Sequence, residues 1–346
     1  MSVTGEHWMI GGSMSVSVVI PCYRSARTLP TLVSRIVSTL RQANVRHEIL
    51  LVVDGSPDDT WETAARLARG IEAVRALHLS RNYGQHNALV AGIREAAHDV
   101  VVTLDDDLQH PPEQIPRLLA ALEGDRLDLV YGVSDEEEHG FLRSLASRSV
   151  KAGMAGALGV RAAQDISAFR AFRTRLRDGF EGLSGPHASI DVALSWATAR
   201  VGSVRVHMNQ REHGRSNYTA RKLIRHAVNM LVGYSTAPLR AASYLGFLAG
   251  VVGLLLGAGV LWRFATGDTT VAGFTTIASM VALFSSAQLI AIGVLGEYVG
   301  RIHGSGMGRP TYVVRDRVGP SLGTDPCPDG PVIPVQAGAS SGPGEP

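Results

Sequence analysis

Cysteine is scarce in this chain. Only Cys22 and Cys327 occur, near opposite ends and without CxxC or Cys/His spacing. Neither a zinc cage nor a disulfide framework is indicated, and a reducing compartment is expected. A charge excess is also missing: the formal net charge is +2 and the pI about 8.6. That excludes the dense basic surface a nucleic-acid binder needs, so useful basicity has to be local. The amino terminus shows no basic stretch followed by an apolar run. No cleavable signal peptide is therefore expected, and the first domain should stay in the cytosol. Residues 1–14 read as a disordered lead, and there is no internal repeat.

What is present is apolar sequence, 45% of 346 residues, enough for one full domain and an appendage. Through the first half, short β-branched runs alternate with helical stretches, which predicts βαβ units, an α/β class and a mainly parallel sheet over 15–217. Strands are expected at Val16–Tyr23, Glu48–Asp54, Val74–Ser80, Val100–Asp105 and Leu127–Val133. Helices should begin near Thr28–Pro30, Asp58–Thr60, Tyr83 and Pro112, where caps and first-turn prolines stand. In such sheets ligands bind beyond the carboxyl ends of the strands. Three polar clusters fall there: Asp54-Gly55-Ser56, Arg81-Asn82-Tyr83-Gly84 and Asp105-Asp106-Asp107.

Near residue 240 the composition changes. Uncharged runs from Ala241 to Trp262 and from Thr269 to Gly296 are each long enough to cross about 30 Å of hydrocarbon. Two transmembrane helices are expected, at 241–263 and 269–296. Arg221, Lys222, Arg225 and Arg240 precede the pair, and Arg301, Arg309, Arg315 and Arg317 follow it. The positive-inside rule therefore makes a multi-pass protein of the inner (plasma) membrane, with both flanks cytoplasmic. Segment 218–240 has Leu223, Ile224, Ala227, Val228 and Leu231 on one helical face and Arg221, Lys222 and Arg225 on the other. Periodicity does not separate lipid from protein as its apolar partner; its place beside a span favours an interfacial helix. Segment 297–317 is expected to be cytoplasmic, and the Gly/Pro/Ser-rich tail 318–346 disordered.

The acidic triplet stands at the mouth of a buried strand. In an extended segment Asp105 and Asp107 point one way and Asp106 the other. Alternate carboxylates can then share a hard divalent ion, Mg²⁺ or Mn²⁺, with Gln109 adding an amide oxygen from the same side. Such an ion bridges diphosphate oxygens and neutralises charge on a departing nucleotide. An isolated Asp triplet is more often a solvated turn; the strand before it and His110-Pro111-Pro112 after it make this one specific.

The run Asp105-Asp106-Asp107-Leu108-Gln109-His110-Pro111-Pro112 resembles the DxDLQHPP motif of polyprenyl-phosphate transferases in glycosyltransferase family 2. These include the dolichol-phosphate mannose synthases and the bacterial undecaprenyl-phosphate glucosyl and aminoarabinose transferases. Val18 to Tyr23, Val53 to Thr60 and Leu79 to Gly84 resemble the family's nucleotide-binding segments. Arg211 to Tyr218, Gly296 to Arg301 and Arg309 to Val314 extend the likeness over roughly residues 15 to 317. The resemblance implies a GT-A, Rossmann-like domain that binds a nucleotide-sugar, with polyprenyl phosphate and the membrane as its other partners and homo-oligomer formation left open.

It also implies roles. Pro21, Tyr23, Asp54 and Arg81 would hold base and ribose, with Asp106 beside them. Asp105, Asp107 and Gln109 would hold the metal and diphosphate. Arg211 and Arg215 would close over the phosphates, a task suited to guanidinium forks, unless they form a basic linker facing lipid headgroups. Asp165-Ile166-Ser167-Ala168-Phe169-Arg170 resembles the acceptor-side motif, so Ser167 and Arg170 would meet the lipid phosphate. Arg143 and Arg148 either join them or line a solvated helix face. Asp105, Asp107, Asp165 and Arg211 are the catalytic candidates. Asp191 either orients the acceptor or is structural. Arg24-Ser25 stands where dolichol-type members carry Asn-Glu, which favours a UDP-sugar over a guanine nucleotide. The rival readings are a processive polysaccharide synthase, for which the QxxRW motif is missing, a transferase to a protein or diffusible acceptor, and a nucleotide-sugar-binding scaffold without turnover.

Overall fold

The computed structural model describes residues 14–135, 166–180, 189–209, 237–266, 273–307 and 310–320. Eight strands form one sheet in the order β7-β5-β6-β4-β1-β2-β3-β8. These are β1 (Ser15–Cys22), β2 (Arg46–Val53), β3 (Val74–Leu79), β4 (Val100–Thr103), β5 (Leu129–Ser134), β6 (Arg170–Arg173), β7 (Val201–Val206) and β8 (Val314–Val318). Six run parallel; β6 is antiparallel between β4 and β5, and β8 is antiparallel on the edge beside β3. The central strands are mostly apolar and buried because both faces are covered, as parallel sheets require. Helices α1 (Leu29–Gln42), α2 (Thr60–Gly70), α3 (Gln85–Glu95) and α4 (Ile115–Gly124) supply the cover. In α1, Leu29, Leu32, Val33, Ile36 and Leu40 are fully buried. Each such side chain contributes about 1.5–3 kcal/mol of burial.

The first five expected strands match within about two residues at each end, the ordinary spread of boundary assignment. Pro21 sits inside β1 opposite Val52. It is tolerated because pairing to β4 stops at Val19, while the neighbouring Cys22 carbonyl turns to β2 and accepts the Asp54 N–H. The N–H that Pro21 lacks would have faced the unpaired side. Three strands lie beyond the expected set. β8 corrects the reading of the carboxyl-terminal region: Val318, placed at the start of a disordered tail, closes a paired strand. Residues 321–346 lie outside the described residues.

Beyond the sheet come α5 (Ile190–Ala197), α6 (Ala237–Ala265) and α7 (Phe274–Gly306). Helix α6 begins four residues before the expected boundary at 241. Helices α6 and α7 pack on each other, with Gly253 against Phe284. The stretch Leu239–Gly259 of α6, mean hydropathy 1.9, is long and apolar enough to cross a membrane, and none of it is buried in the protein. It is the one helix of that kind found among the described residues; α7 forms as a helix over the second expected span. One of the two expected spans thus has a helix that meets the requirement for crossing a membrane. The amphipathic segment lies outside the described residues apart from 237–240, which belong to α6.

The chain leaves the sheet for the helical pair and returns from it on one edge. β7, parallel to β5, ends at Val206 on the carboxyl edge of the parallel strands. β8 enters antiparallel to β3 with Val314 opposite Leu79, on that same edge. Both chain connections to the helical pair therefore attach at the carboxyl ends of the strands.

Candidate active site

β4 ends at Thr103, and the chain turns instead of continuing extended. Leu108 has φ +63°, and the Gln109 N–H donates to Asp107 Oδ1 at 3.1 Å. Alternation along an extended strand is therefore not what arranges the triplet, and the argument that put the Gln109 amide beside Asp105 and Asp107 loses its basis. Asp106 does diverge from its neighbours: its carboxylate reaches back to accept the Tyr23 N–H at 3.0 Å. Burial pushes Asp106 up to about 6, opposed by Tyr23 and Ser25, with Asp105 and Asp107 adding repulsion. Asp105 accepts from Gln85 Nε2 at 2.6 Å. Behind the turn, His110 stacks on Phe169 with ring centroids 5.5 Å apart, and its Nδ1 accepts the Asp105 N–H at 3.4 Å. Burial holds the imidazole down to about 4, opposed by Asp107 and aided by Arg170. His110 is therefore a neutral acceptor at neutral pH.

The neighbouring loops close around the ends of β1 and β2. Asp54, 3% exposed, accepts the N–H groups of Tyr83 and Gly84 at 2.7 and 2.8 Å. Burial raises its carboxyl, against those two bonds. This geometry makes Asp54 the post that holds the Arg81–Gly84 loop. Gly55 makes the arrangement feasible: its φ is +54°, and a Cβ there would lie 2.3 Å from the Arg81 carbonyl carbon, so any other residue meets backbone. Arg81 is exposed and lies over the Tyr83 ring at 4.7 Å. Tyr23 is 43% exposed, with the Arg24 guanidinium 5.6 Å from its ring. The structure thus brings Tyr23, Arg81 and the acidic turn to the same edge, while Pro21 is buried in β1 beneath them.

On the acceptor side the described residues are more enclosed. Arg170 is 2% exposed; its guanidinium bonds Asp191 and donates to Thr103 Oγ1 at 3.1 Å, while the Tyr131 hydroxyl donates to Asp191 at 3.2 Å. These contacts brace Arg170 and Asp191 beneath the end of β4. Ser167 Oγ accepts the Phe169 N–H at 3.2 Å. Arg143, Arg148, Asp165, Arg211 and Arg215 lie outside the described residues. Two contributors escaped the sequence reading. Gln85 carries no signal beyond its place directly after the Arg81–Gly84 loop. Asn209, whose N–H donates to the Gln109 carbonyl at 2.9 Å and whose side chain donates to the Leu108 carbonyl at 3.1 Å, stands two residues before Arg211. That proximity was its signal.

Among the described residues no three His, Cys, Asp or Glu side chains converge into a metal cage. Asp105 and Asp107, both half-buried on one turn, nevertheless fit the sparse carboxylate sets that hold Mg²⁺ or Mn²⁺ when substrate phosphates complete the coordination.

The family model described as "Glycosyl transferase family 2" matches residues 17–178. The undecaprenyl-phosphate 4-deoxy-4-formamido-L-arabinose transferase of Proteus mirabilis is 35% identical over 88% of this chain and 94% of that one. Its counterpart in Pseudomonas fluorescens is 34% identical over 94% and 95%. Similar solved structures include glucosyl-3-phosphoglycerate synthase from Mycobacterium tuberculosis in complex with Mn²⁺ and uridine-diphosphate-glucose. That likeness has 20% identity and a TM-score of 0.48, over 67% of this chain and 83% of that one. Mannosyl-3-phosphoglycerate synthase from Rubrobacter xylanophilus has 18% identity and a TM-score of 0.47, over 67% and 75%. With transferases more than 30% identical along nearly their whole length, and the motifs gathered on one edge of the sheet, the chain belongs to glycosyl transferase family 2.

Proposed function

We propose that this protein is a membrane-bound inverting glycosyltransferase that moves a sugar from a nucleotide-sugar, a UDP-sugar by preference, onto the phosphate of undecaprenyl or a similar polyprenyl lipid. The observation that carries the reading is topological. The acidic turn and both connections to the α6–α7 pair occupy one edge of the sheet. A lipid phosphate held at a bilayer surface would thus face the donor site. The relatives' names, which specify undecaprenyl phosphate, support the acceptor. In this reading α6 and α7 both cross the inner membrane and the sheet domain is cytoplasmic.

The donor's base and ribose lie against Tyr23 and Arg81, with Asp54 and Gly55 fixing the Arg81 loop from beneath. Asp105 and Asp107 face the diphosphate and would hold Mg²⁺ or Mn²⁺, which supplies positive charge for the leaving nucleoside diphosphate. Arg211 and Arg215 follow Asn209, which is fastened to the acidic turn, and they cover the same phosphates. A phosphate-monoester oxygen of the lipid attacks the anomeric carbon; the bond from that carbon to the diphosphate oxygen breaks, its electron pair leaves with the nucleoside diphosphate, and configuration inverts. The nucleophile is already anionic, so positioning and electrostatics carry the reaction without an obligatory general base. Ser167, Asp165, Arg143 and Arg148 are the acceptor-side candidates. The deciding experiment incubates purified full-length protein with undecaprenyl phosphate, Mg²⁺ or Mn²⁺, and UDP-, GDP- and dTDP-sugars. A UDP-dependent glycolipid is expected. Transfer that persists without the lipid, or no glycolipid from any donor, overturns the proposal.

A further inference from the structure

β8 joins the sheet at its edge, and it is tied to β3 by more than ladder bonds. His78 stands opposite Asp316 in register, and the two side chains meet at 3.3 Å. Arg317 reaches Glu95 on α3 at 3.2 Å. Just before the strand, the Arg94 guanidinium lies 5.6 Å from the Tyr312 ring, and Tyr312 and Val314 pack on the same core cluster as Tyr83. The pairing reaches the carboxyl end of β3: the Ser80 N–H donates to the Val313 carbonyl at 2.9 Å, one residue before Arg81. The register shifts between His78 and Leu79, at the point where β3 gives way to the loop held by Asp54. Seven residues separate the end of α7 at Gly306 from the start of β8 at Val314, at most about 3.3–3.6 Å of reach per residue.

We infer that β8 is a positioning element of the donor site: by holding the end of β3 it fixes the Arg81–Gly84 loop, and through its short link to α7 it ties that loop to the helical pair. The inference rests on the reading of this loop as part of the donor site. Weakening β8 loosens the loop and lowers donor affinity without touching the groups that do the chemistry. An edge strand added from a distant part of the chain has this leverage because its ladder bonds set the register of the strand it joins.

The test uses full-length protein in phospholipid nanodiscs. Arg317→Glu sets a carboxylate against Glu95. Hydrogen exchange at the Tyr83 and Gly84 amides, which bond Asp54, is expected to accelerate about tenfold, and the donor KM to rise about five- to tenfold while kcat at saturating donor stays within about twofold. In a Cys327→Ser background, His78→Cys with Asp316→Cys supplies a facing antiparallel pair, whose Cα separation of about 4.5–5.5 Å suits a disulfide. Added to Arg317→Glu, this pair should restore slow exchange and the low KM on oxidation and lose both on reduction. Unchanged exchange in Arg317→Glu, a fall in kcat at constant donor KM, or failure of the oxidised pair to rescue overturns the inference. Disulfide-linked dimers in place of monomers overturn its in-chain form. If no sugar reaches a polyprenyl phosphate, the proposed function fails, and the exchange measurements still decide the role of β8.

Discussion

The two edges of the sheet treat their acidic residues in opposite ways. At the amino ends of the parallel strands, acids are built into ion pairs. Glu48, 4% exposed, accepts from Ser17, from the Ala97 N–H and from Arg75. Asp128 is gripped by Arg175, Arg200 and Thr198; the exposed Asp99 instead accepts from the Ser15 hydroxyl. At the carboxyl ends, the bonds to Asp54, Asp58 and Asp106 among the described residues come from amides and hydroxyls. One ion pair on that edge, Arg170–Asp191, is sunk beneath the acidic turn. Enclosing Asp54 and Asp106 beside neutral donors costs free energy that arginines would have offset. One edge is thus settled by its own residues, while the other keeps negative charge where a cation and an anionic donor can meet. The contrast teaches that the amino edge should govern stability and the carboxyl edge activity.

The sharpest way to break that division is Asp107→Ala. Losing an electrostatic contributor to the leaving group should lower transfer roughly 10³-fold, read as nucleoside diphosphate release, while the unfolding midpoint in detergent stays put. A fall in stability with activity per folded molecule intact would erase the distinction. Gly55→Ala comes next. Its Cβ would meet the Arg81 and Asn82 backbone at 2.3–2.5 Å with φ at +54°, a strain of about 1–3 kcal/mol. About 1.4 kcal/mol of that taken from donor binding raises the donor KM about tenfold. An unchanged donor KM would free the Arg81 loop from its assigned task.

Asp128→Asn probes the settled edge. Burial opposes ionisation of Asp128, but Arg200, Thr198 and Arg175 prevail and hold it down to about 2. A carboxyl held below its unfolded value of about 4 adds stability above that pH and loses it as pH falls through about 2. The amide variant should therefore be about 2 kcal/mol less stable at neutral pH, a figure reduced for the solvent around both arginines. The difference from the parent should shrink below pH about 4. Activity per folded molecule should not change; a pH-independent difference would show that packing, not charge, is at work.

Much of this contrast was legible in the sequence because it follows from strand chemistry. Buried β-branched runs announced β1 to β5, and polar clusters after them announced the active edge. What escaped had physical reasons. β6 has four residues, two of them arginine, and β8 reads Val-Arg-Asp-Arg-Val; neither offers an apolar run, because β8 is an edge strand and β6 is stabilised by neighbours distant in sequence. The metal ligands were inferred from an extended alternation that Leu108 interrupts with a left-handed backbone no composition signals. Arg170 looked like a phosphate ligand because an arginine after a motif serine carries the right charge; its burial depends on Asp191 and Thr103, which only the folded sheet brings together.

The smallest effect tests whether burial, rather than the number of ion pairs, divides the two edges. Arg35 and Glu113 form a two-pronged pair at 2.7 and 2.9 Å that looks as good as any at Asp128. Glu113 is 49% exposed at its side chain, however, against 8% for Asp128. Burial opposes and Arg35 then lowers the Glu113 carboxyl, but solvent screens the attraction and two long side chains lose freedom in making it. Arg35→Ala should cost about 0.2–1 kcal/mol, clearly less than Asp128→Asn in the same denaturation assay. Equal losses would mean that the geometry of an ion pair counts here for more than its exclusion from water, and the amino edge could not then be called the more stable for burying its acids.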